Sequence, residues 1–313
     1  MASIPPIIAA QAPTASTGEP RHVGLLAGWG RFPLAVAEAL SARGYRVSGL
    51  GIRHHADPAL AERCADFGWV GLARLGSAIR YFRRRGVSVA MMAGKVHKVT
   101  LYHPGAWLRY LPDLRTIRTF YPHFIGARED RKDDTLLGAI VRTFAEDGIV
   151  FHPATDFVPE LLVRQGCLSV RHPTARERAD IEFGWRLAKE LGRVDVGQSV
   201  VVKDRTPLAI EAIEGTDECI RRAGQLCKSG GFTVVKVAKP QQDMRFDVPT
   251  IGLGTLETIV ASGGRALAIE AGRTIIIDEP QVIDFARRHG IAVVALTADE
   301  FVATGCAGEP AAL

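Results

Sequence analysis

The feature that most restricts the fold is a series of apolar runs between residues 22 and 94. "HVGLLA", "YRVSGLGI", "FGWVGL" and "VSVAMMAG" are almost continuously apolar, and a helix-length segment follows each of the first three. A strand with water on one face alternates apolar and polar residues. These runs do not alternate, so both faces must be covered. Linked through helices at Phe32 to Ala42, "PALAERCA" and "LGSAIRYFRRR", they predict a doubly wound parallel sheet with right-handed crossovers. A helical stretch, "DDTLLGAIVRTFAEDG", and a short strand, "IVFHPA", close this unit near His152.

The second half has a different grain. "TARERADIEFGWRLAKELG" is an amphipathic helix ending at Gly192, and "SVVVKDRTPLAIEAI" reads as two strands around a turn at Asp204-Arg205. A helix "DECIRRAGQLCKSGG", a strand "FTVVKVA", a polar loop "KPQQDMRFDVPTIG" and a helix "LGTLETIVASG" follow. "ALAIEA" and "TIIID" flank Gly272-Arg273 like a hairpin, and "PQVIDFARRHG" with "IAVVAL" ends the pattern. The expected class is α/β: a Rossmann-like domain over 21–152 and a distinct α/β domain over 153–306, with disordered tails at 1–20 and 307–313.

Composition serves as a filter. A chain of 313 residues, 47% hydrophobic and 23% charged, is a globular protein with room for one large or two ordinary domains. No apolar run reaches the roughly 20 residues that span a bilayer, and the Ala/Pro/Thr-rich start lacks the basic opening of a secretory signal. The net charge of +5 is mild. Arginines cluster in "RYFRRRG" (Arg80 to Gly86), either as a solvated helix end complementing the dipole or as a phosphate- or membrane-facing patch. Basic and aromatic residues do not interleave as in a nucleic-acid module. Cys64, Cys167, Cys219, Cys227 and Cys306 make no C-x-x-C pair, so reduced thiols in a cytosolic protein are expected.

Several segments carry residues suited to chemistry. In "GLLAGWGRFP", Gly28 and Gly30 permit a tight turn and close approach of a phosphate or ribose, and Pro33 suits a first helical turn. The stretch is not a dinucleotide fingerprint. Pro33 stands where the third glycine belongs, and the second strand ends in Arg53, His54 and His55 rather than an acidic residue. "MAGKVHK" should reach the carboxyl edge beside that turn, with Lys95, His97 and Lys98 toward an anion or simply in solvent. The loop from Lys236 to Gly252 holds Lys236, Lys239, Asp243, Arg245 and Asp247. Its aspartates suit Mg²⁺ and its cations suit phosphate. In "AIEAIEGTDECIRR", Glu211 and Glu214 sit three apart on a strand and so point to opposite faces, and Thr216 or Asp217 can cap the next helix. The competing reading is a carboxylate pocket of Glu214, Asp217 and the Asp243 loop.

Taken together, "GLLAGWGRFP", "AGKV", "DDTLL", "DVGQSVVV", "AIEAIEGTD" and "KVAKPQQDMRFDVPTIG" resemble the LpxI family of UDP-2,3-diacylglucosamine pyrophosphatases, from about Val23 to about Cys306. The resemblance implies a Rossmann-like domain and a second α/β domain holding the lipid substrate between them. It implies hydrolysis of the pyrophosphate to UMP and 2,3-diacylglucosamine 1-phosphate, with water attacking the phosphorus nearer the sugar. A divalent metal, typically Mg²⁺, is implied, and no NAD(P). Asp243 is the first choice for the essential aspartate and Asp247 the second. Asp243, Asp247 and Asp217 form the expected metal set, with Glu214 an alternative to Asp217. Gly28, Gly30, Lys95, Glu214, Thr216, Lys236, Lys239, Gln242, Arg245 and Thr250 form the expected substrate-binding set. Because the substrate carries two acyl chains, transient contact with the inner face of the cytoplasmic membrane is expected; a homodimer rests on family likeness alone. The alternatives are an NAD(P)-dependent oxidoreductase and a non-catalytic nucleotide- or lipid-binding regulator.

Overall fold

The computed structural model describes residues 21–96, 111–124 and 133–300. The tails at 1–20 and 307–313, His97, Lys98 and Cys306 lie outside the described residues. The chain divides into two compact units that meet between Pro159 and Glu160. The first extends past His152 because Ala154–Phe157 packs back on it. Phe157 meets the Tyr45 ring edge-on at 5.7 Å, and Arg43 donates to the Phe157 carbonyl at 2.6 Å.

In order, the first unit contains β1 (His22–Ala27), α1 (Phe32–Ala42), β2 (Arg46–Ile52), β3 (Asp66–Val70), α2 (Leu75–Arg84), β4 (Val89–Ala93), α3 (Leu114–Phe124), α4 (Asp133–Ala145), β5 (Val150–Phe151) and α5 (Ala154–Phe157). The strands form one parallel sheet ordered β3-β2-β1-β4-β5. Val23, Leu25, Val47, Leu50, Ala90 and Met91 are buried, as unbroken apolar strands require. The expected helix at "PALAERCA" is a tighter 3₁₀ segment, Pro58–Arg63, because the chain is already extended again at Cys64.

The second unit contains β6 (Gly166–Cys167), α6 (Ala175–Arg193), β7 (Ser199–Lys203), β8 (Thr206–Ile210), α7 (Thr216–Leu226), β9 (Phe232–Lys236), β10 (Thr250–Ile251), α8 (Leu253–Ala261), β11 (Gly264–Glu270), β12 (Ile275–Ile276), α9 (Glu279–His289) and β13 (Ala292–Leu296). Its main sheet runs β6-β13-β11-β9-β7-β8. Strands β9, β11 and β13 are mutually parallel, while β7 and β6 run against their neighbours. Helix α6 opens with a capping box between Thr174 and Glu177, and its Ile181, Trp185 and Ala188 cover Val200, Val202 and Val235. Residues of α7, α8 and α9 form a second core on Val201, Val234, Leu267 and Val293, which lie at neighbouring positions of the same strands.

The turn between β7 and β8 has φ of 50° at Asp204 and 56° at Arg205, the left-handed pair that a two-residue hairpin needs. The expected hairpin across Gly272-Arg273 does not form. Both edges of β11 are taken by β9 and β13, so β12 instead pairs in parallel with β10.

In the first unit the chain order reverses between β1 and β4, the switch point where open α/β sheets usually leave a crevice. Here the chain itself enters that place. Gly28 N–H donates to Ala93 O at 2.8 Å, Trp29 N–H to Lys95 O at 2.7 Å and Lys95 N–H to Trp29 O at 2.9 Å. A Cβ on Gly28 would lie 2.6 Å from Lys95 O, a main-chain atom that cannot swing away. Gly28→Ala should therefore cost about 1–3 kcal/mol, the usual range for overpacking. Urea denaturation checks this, and an unchanged midpoint would show that the junction yields.

Candidate active site

The strongest concentration of buried polar groups lies at the carboxyl edge of the parallel strands of the second unit. Lys236 ends β9, and in register it faces Ile269 of β11 on one side and Ser199, the first residue of β7, on the other. Its side chain is only 5% exposed. An ammonium group in such a place must be hydrogen-bonded or it loses its proton. Lys236 Nζ donates to the Thr216 hydroxyl at 3.0 Å and to the Thr250 carbonyl at 3.1 Å.

Thr216 connects this cation to a buried carboxylate. Its hydroxyl donates to Glu211 Oε1 at 2.9 Å, and Glu211 is 7% exposed. A hydroxyl has one proton, so Thr216 Oγ1 must accept from Lys236, and Ser199 Oγ, 3.3 Å away, must donate to it. This use differs from the expected cap. Gly215, with φ of 85°, occupies the cap position of α7, and the Thr216 side chain turns toward the sheet edge. Strand β8 also ends earlier than expected, at Ile210, so Glu211 and Glu214 lie beyond it and strand alternation does not govern them. Glu211 turns inward, while Glu214 accepts from Arg222 at 2.7 Å.

The loop between β9 and β10 is pinned at both ends. Lys236 ties its start to Thr250 at its finish. Just past Lys236, Ala238 N–H donates to Glu270 Oε2 at 2.7 Å, and Lys189 of α6 bonds both Glu270 oxygens, at 2.7 and 2.8 Å, and the Ala238 carbonyl at 2.9 Å. Lys239 pairs with Asp195 at 2.6 Å, and its N–H donates to Gln242 Oε1 at 2.7 Å. The buried atoms here that lack a hydrogen-bond partner include Gln198 Oε1, Glu211 Oε2 and Gln242 Nε2. Few buried polar atoms stay unmet without a ligand or water to satisfy them.

Beyond Gln242 the main chain makes a single turn, in which Asp247 N–H donates to Asp243 O at 3.0 Å. Residues spaced by four in such a turn are neighbours, so Asp243 and Asp247 share a side. The Arg245 guanidinium holds Asp243, its Nε lying 2.8 and 3.0 Å from the two carboxylate oxygens, and the Arg245 N–H adds a bond at 3.1 Å. Burial pushes the Asp243 carboxyl up, but these bonds outweigh it and hold it below the usual carboxylate range. Asp243 is therefore an anion at neutral pH and cannot serve as a proton donor.

The expected metal set is not assembled. Among the described residues, no three His, Cys, Asp or Glu side chains converge on one point. Asp217 faces Thr255 of α8, whose hydroxyl donates to it at 3.3 Å, and lines a groove with Arg221, Gln225 and Glu257. Asp243 and Asp247 stand one turn apart on the loop, and two carboxylates suit Mg²⁺ when phosphate oxygens and water complete its shell. In the first unit, Lys95 is exposed beside Gly30, whose φ is 103° and whose absent Cβ would meet nothing. The Gly28 amide is already committed to Ala93, so that residue's small size serves the chain's own junction.

Comparison with known proteins agrees with this division. Residues 22–161 match the LpxI N-terminal domain and residues 164–294 the LpxI C-terminal domain. Over 288 residues the chain is 31% identical to the UDP-2,3-diacylglucosamine pyrophosphatase LpxI of Caulobacter vibrioides, spanning 90% of this chain and 99% of that one. The chain belongs to the LpxI family.

Proposed function

We propose that this protein hydrolyses the pyrophosphate bond of UDP-2,3-diacylglucosamine, releasing UMP and 2,3-diacylglucosamine 1-phosphate. The observation that carries the reading is the buried Lys236–Thr216–Glu211 chain at the foot of the Asp243 loop, in a member of a family with a curated relative of that activity. A pyrophosphate diester resists water because its oxygens are negative. A cation held away from solvent stabilises added negative charge far more than one in water does. Lys236 supplies such a cation, and Glu211, acting through Thr216, fixes its direction. Glu211 is thus a positioning residue.

Asp243, ionised at neutral pH, accepts a hydrogen bond from the attacking water or holds a cation. Arg245 lies on that carboxylate and is placed to bind substrate phosphate. Mg²⁺ held by Asp243 and Asp247 would polarise the phosphoryl oxygens when bound. Gln242, through its unmatched amide, joins the substrate contacts, with Lys239 and Thr250 shaping the loop. In the first unit, Lys95 and Gly30 are the candidates for substrate contact. The water oxygen bonds the phosphorus nearer the glucosamine and UMP departs, so hydrolysis in ¹⁸O water should place the label in the lipid phosphate. Work on a membrane-borne substrate calls for action at the inner membrane surface.

Two variants test the site. Asp243→Ala should lose turnover by about 10²–10³-fold, the scale of removing one transition-state contact, while still binding substrate in calorimetry. Turnover near wild type would remove Asp243 from the chemistry. Thr216→Val keeps the shape but leaves a buried ammonium and carboxylate each short of a bond. It should cost about 1–3 kcal/mol of stability, read by urea denaturation, and should lower kcat. A variant as stable and active as wild type would show that the buried chain is not needed.

A further inference from the structure

Helix α3 turns an apolar stripe outward. A surface helix normally turns its apolar side inward, yet α3 is held by polar contacts. The Thr116 hydroxyl, which is buried, accepts from Leu75 N–H at 3.0 Å and donates to Ala73 O at 2.9 Å. Asp113 accepts from the amides of Thr116 and Ser77 at 3.0 and 3.1 Å. Thr119 meets Thr143 of α4 at 3.0 Å, and Arg115 bonds Glu146 and Asp147, each at 2.8 Å. The outward side carries Leu114, Ile117 and Tyr121, at the spacing of one helix face, with Leu111 just before them. Leu114 is 85% exposed, and the other three are about half exposed.

The two helices themselves carry charge of one sign, although Asp113, Glu146 and Asp147 lie beside them. Helices α2 and α3 contain no acidic residue and five arginines: Arg80, Arg83, Arg84, Arg115 and Arg118. Asp147 pairs with Arg83 and Arg115, while Arg80, Arg84 and Arg118 are exposed and make no ion pair among the described residues. The helices approach at Gly76 of α2. A Cβ on Gly76 would lie 3.2 Å from Arg115 Cβ and 3.4 Å from Arg80 Nη1. Arg80 thus lies near the first turn of α3, and Arg118 lies one turn along from Leu114 on α3 itself.

We propose that the outer face of α3, with the α2 arginines, docks on an anionic lipid bilayer. Apolar side chains beside unpaired arginines match the acyl and headgroup layers of such a surface. No helix among the described residues is long and apolar enough to cross a membrane, so the contact lies in the interface. The proposal deepens the functional reading, since it supplies the place where a membrane-borne substrate is met, but its test needs no substrate.

Purified protein should co-sediment with vesicles containing phosphatidylglycerol, weakly with pure phosphatidylcholine vesicles, and less as salt rises. Leu114→Ser combined with Ile117→Ser should weaken binding to the anionic vesicles by roughly tenfold and leave thermal melting unchanged. Arg80→Gln combined with Arg84→Gln should remove the preference for anionic lipid. Vesicle binding by the leucine–isoleucine variant equal to wild type would overturn the proposal, as would no binding by wild type. Conversion of a wild-type dimer to a monomer by that variant, with vesicle binding retained, would reassign the face to contact between copies. Vesicle binding without hydrolysis would leave this proposal standing and sink the functional one.

Discussion

Lys236 is the point on which the second unit depends. Placing an ammonium at the end of a buried strand is costly unless every nearby acceptor is arranged for it. The arrangement determines three things at once. The start of α7 must bring Thr216 to the sheet edge, the chain after β8 must turn Glu211 inward, and the far end of the long loop must return its carbonyl at Thr250. A loop whose two ends meet at one cation delivers its middle, Asp243 to Asp247, to a fixed place. Glu270 of the neighbouring strand β11 and Lys189 of α6 reinforce it, and removing one partner of a buried pair costs about 3–5 kcal/mol.

The two units use the carboxyl edge of a parallel sheet differently. In the first, the natural crevice at the switch point is partly filled by the chain's own main-chain bonds between the Gly28 and Lys95 turns. Among the described residues, Gly30 and Lys95 remain open beside that junction. In the second, the same edge is lined by charged side chains whose bonds run inward, with Glu211 Oε2 and Gln242 Nε2 among the buried atoms still unmet. The second edge is the one equipped for charge neutralisation.

Much of the fold was legible because burial on both faces leaves an unambiguous mark. The parallel strands, α6 with its end near Gly192, and the Asp204-Arg205 turn all follow from local pattern. The failures share a cause. "ALAIEA" and "TIIID" look like a hairpin because local spacing cannot reveal that β11 already has two partners. Thr216 looks like a cap because nothing nearby in sequence predicts a lysine 20 residues on. Glu211 passed as an ordinary strand residue. Lys189 and Glu270, 81 residues apart, carried no signal at all, and α3 lay in a stretch whose apolar residues point outward. The loop with Asp243 was found because its charges are dense in sequence; the network that holds it was not, because its members are scattered. A glutamate just past a strand, with Gly-Thr opening a helix shortly after it, is the one signal that could expose it.

The most direct test of the account is product analysis with purified protein, Mg²⁺ and UDP-2,3-diacylglucosamine dispersed in detergent. The account predicts UMP and 2,3-diacylglucosamine 1-phosphate in equal amounts. Release of UDP, or substrate that binds and stays intact, would contradict it.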